Sequence, residues 1–176
     1  MVTYRELALD ELARIGEIDR SERVTHAYVQ VGSKITLRGV DLNVPTWALE
    51  GEGPHTVAAK VAAWQAVAAE GRAFGAFDGE RLVGVGILRD RLEGEMAELA
   101  VLHVDCAHRE QGIGKHLATM VCDAARATGA TSIYVSASDA ERAVRFYLSL
   151  GFSPTATPHP ARLADEPEDI HMTMVL

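Results

Sequence analysis

Cysteine is nearly absent: Cys106 and Cys122 are the only two in 176 residues. Two thiols cannot staple a small fold, and neither lies at metal-ligand spacing from a histidine, so no disulfide framework and no metal are expected. Long apolar runs are missing too, none reaching the roughly 18 residues of a bilayer-spanning helix, so no membrane partner is expected. The chain opens without the basic stretch and apolar core of a secretory leader, which with the scarce thiols makes a cytoplasmic, reducing setting the simplest expectation. Cations are in deficit, 17 Lys and Arg against 25 Asp and Glu, for a net charge of −8. That balance argues against nucleic acid as a partner and is compatible with attracting a cationic amine. Repeats and low-complexity tracts are missing as well. With 48% hydrophobic and 24% charged residues, the composition is ordinary for one globular domain with a real core.

What is present is organised around Leu99 to Lys115, an apolar run feeding a glycine loop that opens into a helix. Gly112 and Gly114 let the backbone turn sharply and approach a ligand, while the unpaired N–H groups of the helix's first turn carry partial positive charge. A pyrophosphate suits such a cradle, and Arg109 and Lys115 flank it with fixed charge. A dinucleotide fingerprint needs a third glycine, which Lys115-His116-Leu117 does not supply, and a P-loop needs Ser or Thr where His116 stands.

Along the chain, Thr3 to Leu9 reads as a strand, and Leu12, Ile15 and Ile18 share one face of a short helix. Tyr28 to Val31, Gly32-Ser33 and Lys34 to Arg38 read as a hairpin within Thr25 to Leu42. An alanine-rich amphipathic helix carrying Val57, Val61, Trp64 and Val67 follows the Gly51 to Pro54 break. Ala73 to Phe77, an Asp78-Gly79 turn and Leu82 to Leu88 form a second hairpin, and a polar connection, Arg89 to Glu95, leads to the strand ending at Val104. The helix after the glycine loop presents Ile113, Leu117, Met120, Val121 and Ala124 and closes at Gly129. Ser132 to Ser136 returns as a strand, and strand, helix and strand with a crossover imply parallel neighbours. A second amphipathic helix from Ala140 to Leu150, with Ala143, Tyr147 and Leu150 on one stripe and Val144 and Leu148 beside it, ends at Gly151-Phe152. A closing strand spans Ile170 to Leu176.

Arg109-x-x-Gly112-x-Gly114 directly after Leu102-x-Val104, with Ala143-x-x-x-Tyr147 and then Gly151-Phe152, resembles the GCN5-related N-acetyltransferase (GNAT) superfamily over about residues 73–176. The resemblance implies a single α/β (α+β) domain over 1–176, with a mixed central sheet flanked by helices and two parallel central strands splayed around the cofactor. Residues 1–72 would form the acceptor-side half, with a hairpin where the family usually places helices, and 73–176 the acetyl-CoA-binding half. It also implies acetyl coenzyme A as co-substrate without a metal. A primary amine, most simply of a small molecule, would be the acceptor, with a protein N-terminus or lysine, or a non-catalytic acyl-CoA-sensing module, as alternatives. A homodimer is compatible with the sequence.

The residues of the resemblance then divide by task. Glu110, Gln111, Gly112, Ile113, Gly114 and Lys115, flanked by Arg109, would hold the pyrophosphate, and the backbone of Leu102, His103 and Val104 would bind the pantetheine as an added strand would. Tyr147 matches the family's thiolate acid, with an amphipathic core tyrosine as the alternative. Glu98 resembles a general-base glutamate, with a solvated strand residue or a water relay as alternatives. His103 is a second base candidate, pointed by strand alternation to the face opposite Glu98 and otherwise a hydrogen-bonded sheet histidine. Trp47, Trp64 and Tyr28 are candidates for an acceptor pocket, against a plain core role. The family's frequent Asn three residues before Ala143 is here Ala140.

Overall fold

A computed structural model describes residues 1–176. Its strands are β1 (Val2–Leu7), β2 (Glu22–Val31), β3 (Lys34–Val44), β4 (Gly71–Asp78), β5 (Arg81–Glu93), β6 (Met96–Val104), β7 (Ser132–Ala137), β8 (Ser153–Pro154) and β9 (Ile170–Val175). Its α-helices are α1 (Val57–Ala68), α2 (Ile113–Ala127), α3 (Glu141–Leu150) and α4 (Pro160–Asp165). The first short helix, Leu9–Glu17, is 3-10 and buries Leu12 and Ile15. Seven strands form one sheet in the order β1-β4-β5-β6-β7-β9-β8, and β2 and β3 form a separate ribbon. Only β6 and β7 pair parallel, as the crossover through α2 requires.

Each face of the sheet is covered. On one, α2 and α3 bury Ile113, Leu117, Val121, Val144 and Tyr147 against Val83, Leu88, Leu99 and Val135. On the other, the 3-10 helix and α1 bury Leu12, Ile15, Trp47 and Trp64 against Val85, Ile87 and Val101. Gly84 lets α2 lie close, since a Cβ there would stand 3.0 Å from a Leu117 methyl and 3.2 Å from one of Ile113. The α3 stripe is narrower than its sequence suggests: Val144 and Tyr147 are buried, whereas Leu148 faces solvent.

The segment expected to be a polar connection is strand instead, because β5 runs on to Glu93 and turns through Gly94 (φ 56°). This extension lets Arg89 stand opposite Glu98. Along β6 the register shifts: Leu88 pairs with Leu99 and Ile87 with Val101, leaving Ala100 as a bulge. The extra residue reverses the alternation. Partners that face each other across antiparallel strands share a face, so Glu98, Val101 and His103 stand with Arg89, Ile87 and Val85 on the α1 side. The expectation of Glu98 and His103 on opposite faces is therefore overturned by one inserted residue.

The β2–β3 ribbon is tied down at several points, as a two-stranded ribbon must be. The Tyr28 N–H donates to the Asp139 carbonyl at 2.8 Å. The Gln30 amide donates to the Thr155 carbonyl at 2.8 Å and accepts from the His171 N–H at 2.8 Å. Ala27 bridges Ala140 at the start of α3, with both residues buried. An asparagine at 140 would push the ribbon away, which accounts for the alanine there.

Candidate active site

β6 and β7 pair only from Met96 to Glu98 with Ser132 to Tyr134, and beyond Leu99 they part. From there to Val104 the β7-facing backbone edge of β6 is open, because only β5 continues beside it. An extended chain with amide groups could add there as a strand. The cleft forms part of one cavity of about 660 Å³, lined by Leu99 to Val104 on one wall and by Val135, Ser136 and Ser138 on another.

At the upper end of this edge lies the glycine loop. Gly112 caps α2 with φ 82°, and Glu110 also adopts a left-handed φ of 62°. The first backbone N–H of α2 to find an acceptor is that of His116, 3.0 Å from the Gly112 carbonyl, so the donors of Ile113, Gly114 and Lys115 are free for a ligand. The loop expected as a cradle thus has a left-handed turn and three outward donors. Gly114 serves it differently from Gly112. A Cβ at 114 would point inward, 3.4 Å from the Phe146 ring, whereas one at 112 would meet nothing within 4 Å. Gly114 therefore seats α2 against α3, and Gly112 supplies the turn.

Arg109 lines the cavity, but its guanidinium is engaged with the protein. Nη1 donates to the Ser21 carbonyl at 3.0 Å, Nη2 to that of Arg20 at 2.9 Å and Nε to that of Val104 at 3.3 Å. It clamps the loop to the segment ahead of β2. Asp105 adds a second clamp, accepting from the Asp19 N–H at 3.0 Å and from Arg81 at 2.6 Å. Burial pulls the Asp105 carboxyl up, yet His108 and these donors hold it below the usual range.

Tyr147 lines the cleft from α3, 7% exposed, with its ring against Phe146 and Phe152 and its hydroxyl without a protein partner. Burial and then the nearby Asp169 push the phenol above its ordinary value, so it stays protonated. Asp169 lies on the same cavity wall with Glu166, and burial and then Glu166 and Asp139 raise it to about 7. No sequence motif marks Asp169. Its only local signal is position, one residue ahead of the closing strand.

Glu98 is placed otherwise. It is buried at the last β6–β7 pair, bound to Arg89 and with Arg162 at 3.8 Å, and it does not line the cavity. Burial raises its carboxyl despite both arginines. His103 does line the cavity, but it is held by rings rather than by a hydrogen bond: it stacks on Trp64 at 5.4 Å and meets Trp47 edge-on at 5.0 Å. Burial, then Arg20 and Lys60, lower its imidazole to about 3, too weak a base for neutral pH. Trp47 and Trp64 both wall the cavity, whereas Tyr28 packs against the α2-side core instead.

Residues 41–152 match the family model described as the acetyltransferase (GNAT) family. Among solved structures, a nourseothricin acetyltransferase is 20% identical with a TM-score of 0.72, over 99% of this chain and 98% of that one. A Bacillus anthracis protein named for streptothricin acetylation, in complex with acetyl coenzyme A, is 17% identical with a TM-score of 0.74, over 100% and 99%. The ribosomal-protein-S18-alanine N-acetyltransferase from Escherichia coli is 18% identical with a TM-score of 0.62, over 99% and 94%. No curated protein gives a significant sequence match.

Proposed function

The chain belongs to the GNAT family and is an acetyl-CoA-dependent N-acetyltransferase, and from that premise we propose that its acceptor is the primary amine of a small molecule. The observation that carries the proposal is the enclosure of the acceptor-side wall. Trp47 and Trp64 are 2% and 8% exposed, and Glu22, Val24 and Val44 at the ribbon's base line the same cavity. A protein tail needs an open groove, and this chamber favours a compact guest. Whole-chain neighbours are named both for small-molecule acceptors and for a protein one, so their names alone do not choose.

Acetyl coenzyme A fits the residues present: three free N–H groups at the start of α2 suit a pyrophosphate, and the open β6 edge suits a chain of amides. When bound, it supplies the thioester carbon that the amine attacks. Gly112 to Lys115 then hold the phosphate end, with Glu110 and Gln111 shaping the loop and Arg109 fixing it in place. Leu102 to Val104 orient the amide arm. Tyr147, protonated throughout the working range and lining the cleft, would give its hydroxyl proton to the thiolate that leaves. Asp169 accepts the ammonium proton through water from the same wall, while Glu98 braces the base of the cleft through Arg89 and Arg162. Thiol release from acetyl coenzyme A against a panel of small amines and peptides, alongside calorimetric cofactor binding, tests the assignment. Turnover confined to long peptides, with none on free amino acids, dipeptides or simple amines, would move the acceptor to a protein. Cofactor binding without turnover would leave a sensing module.

A further inference from the structure

Every arginine of the chain except Arg20, Arg91 and Arg109 reaches a carboxylate within 4 Å, and none of Lys34, Lys60 and Lys115 does. Four of these six unpaired cations, Arg20, Lys60, Arg109 and Lys115, line the 660 Å³ cavity. In a protein with a surplus of acids this concentration calls for a cause. Arg109 is engaged with carbonyls, and Lys115 sits beside the phosphate cradle. Arg20 and Lys60 lie elsewhere, among the rings of the α1 side.

The Arg20 guanidinium lies over Trp47, with Cζ 5.3 Å from the ring centroid, and its Nε is shielded from solvent without any acceptor. Lys60 stands one helical turn before Trp64 on α1, so the two share a helix face. Trp47, Trp64 and His103 meet one another at 5.0 to 5.4 Å between centroids, forming flat walls beside the two charges. The His103 imidazole, kept neutral by burial and by those charges, adds none of its own. Of the acids on the same cavity, Glu22 is held by Arg142 at 2.5 Å, Glu110 belongs to the glycine loop, and Glu166 and Asp169 belong with Tyr147, so none forms an ion pair with Arg20 or Lys60. A guanidinium whose Nε is shielded without an acceptor is costly in the free protein, and an incoming anion that meets this donor removes that cost.

The anion is not the cofactor's pyrophosphate, because the free N–H groups of α2 lie on the other side of the sheet. On the acetyl-transfer reading above, on which this rests, we infer that Arg20 and Lys60 bind a carboxylate of the acceptor, which makes the acceptor an amino acid or short peptide rather than a simple amine. An acceptor with only positive groups would place charge against two uncompensated cations.

The test uses pairs that differ only in the acid group: L-lysine against 1,5-diaminopentane, and glycylglycine against glycylglycinamide. Each is titrated into the protein bound to coenzyme A and, separately, assayed for acetyl transfer from acetyl coenzyme A. The acid member should bind at least about tenfold more tightly. The double variant Arg20→Gln, Lys60→Gln should erase that preference while coenzyme A affinity stays within about twofold. Equal binding of the two members by the parent, or a preference that survives in the double variant, overturns the proposal. So does a tenfold loss of coenzyme A affinity in the variant, which would give the cations to the cofactor. If the parent binds neither member of any pair, benzoate against benzamide needs only the rings and the charges, and failure of benzoate to bind also overturns it. A parent that does not bind coenzyme A at all would instead remove the acetyltransferase reading, so the two failures are distinguishable.

Discussion

Removing one oxygen from Tyr147 separates chemistry from packing, because nothing in the protein pairs with that oxygen. In Tyr147→Phe the ring keeps its edge contacts at 5.2 Å to Phe146 and 5.5 Å to Phe152. A buried hydroxyl without a partner costs about 1 to 3 kcal/mol of desolvation when fully enclosed, and Tyr147 is 7% exposed at a cavity wall, so the lower end applies. Its loss should leave the protein as stable or more stable, by up to about 1 kcal/mol, and at this chain length that is a rise of about 2 to 4 °C in Tm. Turnover should fall by about 10 to 10³-fold, with acetyl coenzyme A affinity unchanged, because the thiolate must then leave unprotonated. The phenol is held above its ordinary value, so the parent should show no loss of rate from Tyr147 ionisation up to pH 9. Calorimetry, thermal unfolding and thiol release read the three quantities. Turnover within about twofold of the parent, whatever the acyl donor, would refute the acid role and leave Tyr147 a core residue.

Glu98→Gln should cost stability rather than rate. It leaves Arg89 and Arg162 around a neutral group, a loss of about 1 to 3 kcal/mol by denaturant unfolding, with the pH–rate profile unchanged; a hundredfold fall in turnover that recovers at high pH would restore it as the base. Asp169 is raised to about 7, so the parent's rate should decline as pH falls through 7, and Asp169→Asn should abolish that limb. The sign for stability follows from the same shift. The folded carboxyl holds its proton more tightly than the unfolded one, so its contribution is complete below about pH 4 and is lost as pH rises through 7. Asp169→Asn should therefore gain on the parent in stability between pH 3.5 and pH 8, by up to about 4 kcal/mol; an equal difference at both would refute the shift. Gly112→Val forces a β-branched residue into φ 82° and should weaken acetyl coenzyme A binding at least tenfold in a folded protein, as calorimetry would show.

Much of the fold was legible from local chemistry. The glycine loop, both hairpins and the strand–helix–strand crossover announce themselves through turn residues and periodicity, which act within a few positions of one another. The features that escaped depend on pairing between distant segments. Nothing local marks Ala100 as a bulge, since the extra residue exists only relative to the β5 register. The clamping of Arg109 onto the Ser21 and Arg20 carbonyls joins residues 88 and 89 positions apart. Asp169 becomes a candidate only because α3 brings Tyr147 beside it.

The bulge also decides which side chains of β6 face each side of the sheet. Without it, the side chains of β6 above Leu99 would exchange faces: His103 would enter the α2-side core, and Leu102 would meet Trp47 and Trp64. With it, Leu102 and Val104 pack under α2, while Val101 and His103 face the rings of the α1 side. The same extra residue falls where β7 has just left the ladder, so the strand bends away from its former partner as its pattern inverts. Opening the β6 backbone edge and turning a neutral imidazole toward the rings of the α1 side thus coincide at one local insertion, and deleting Ala100 should abolish both together rather than either alone.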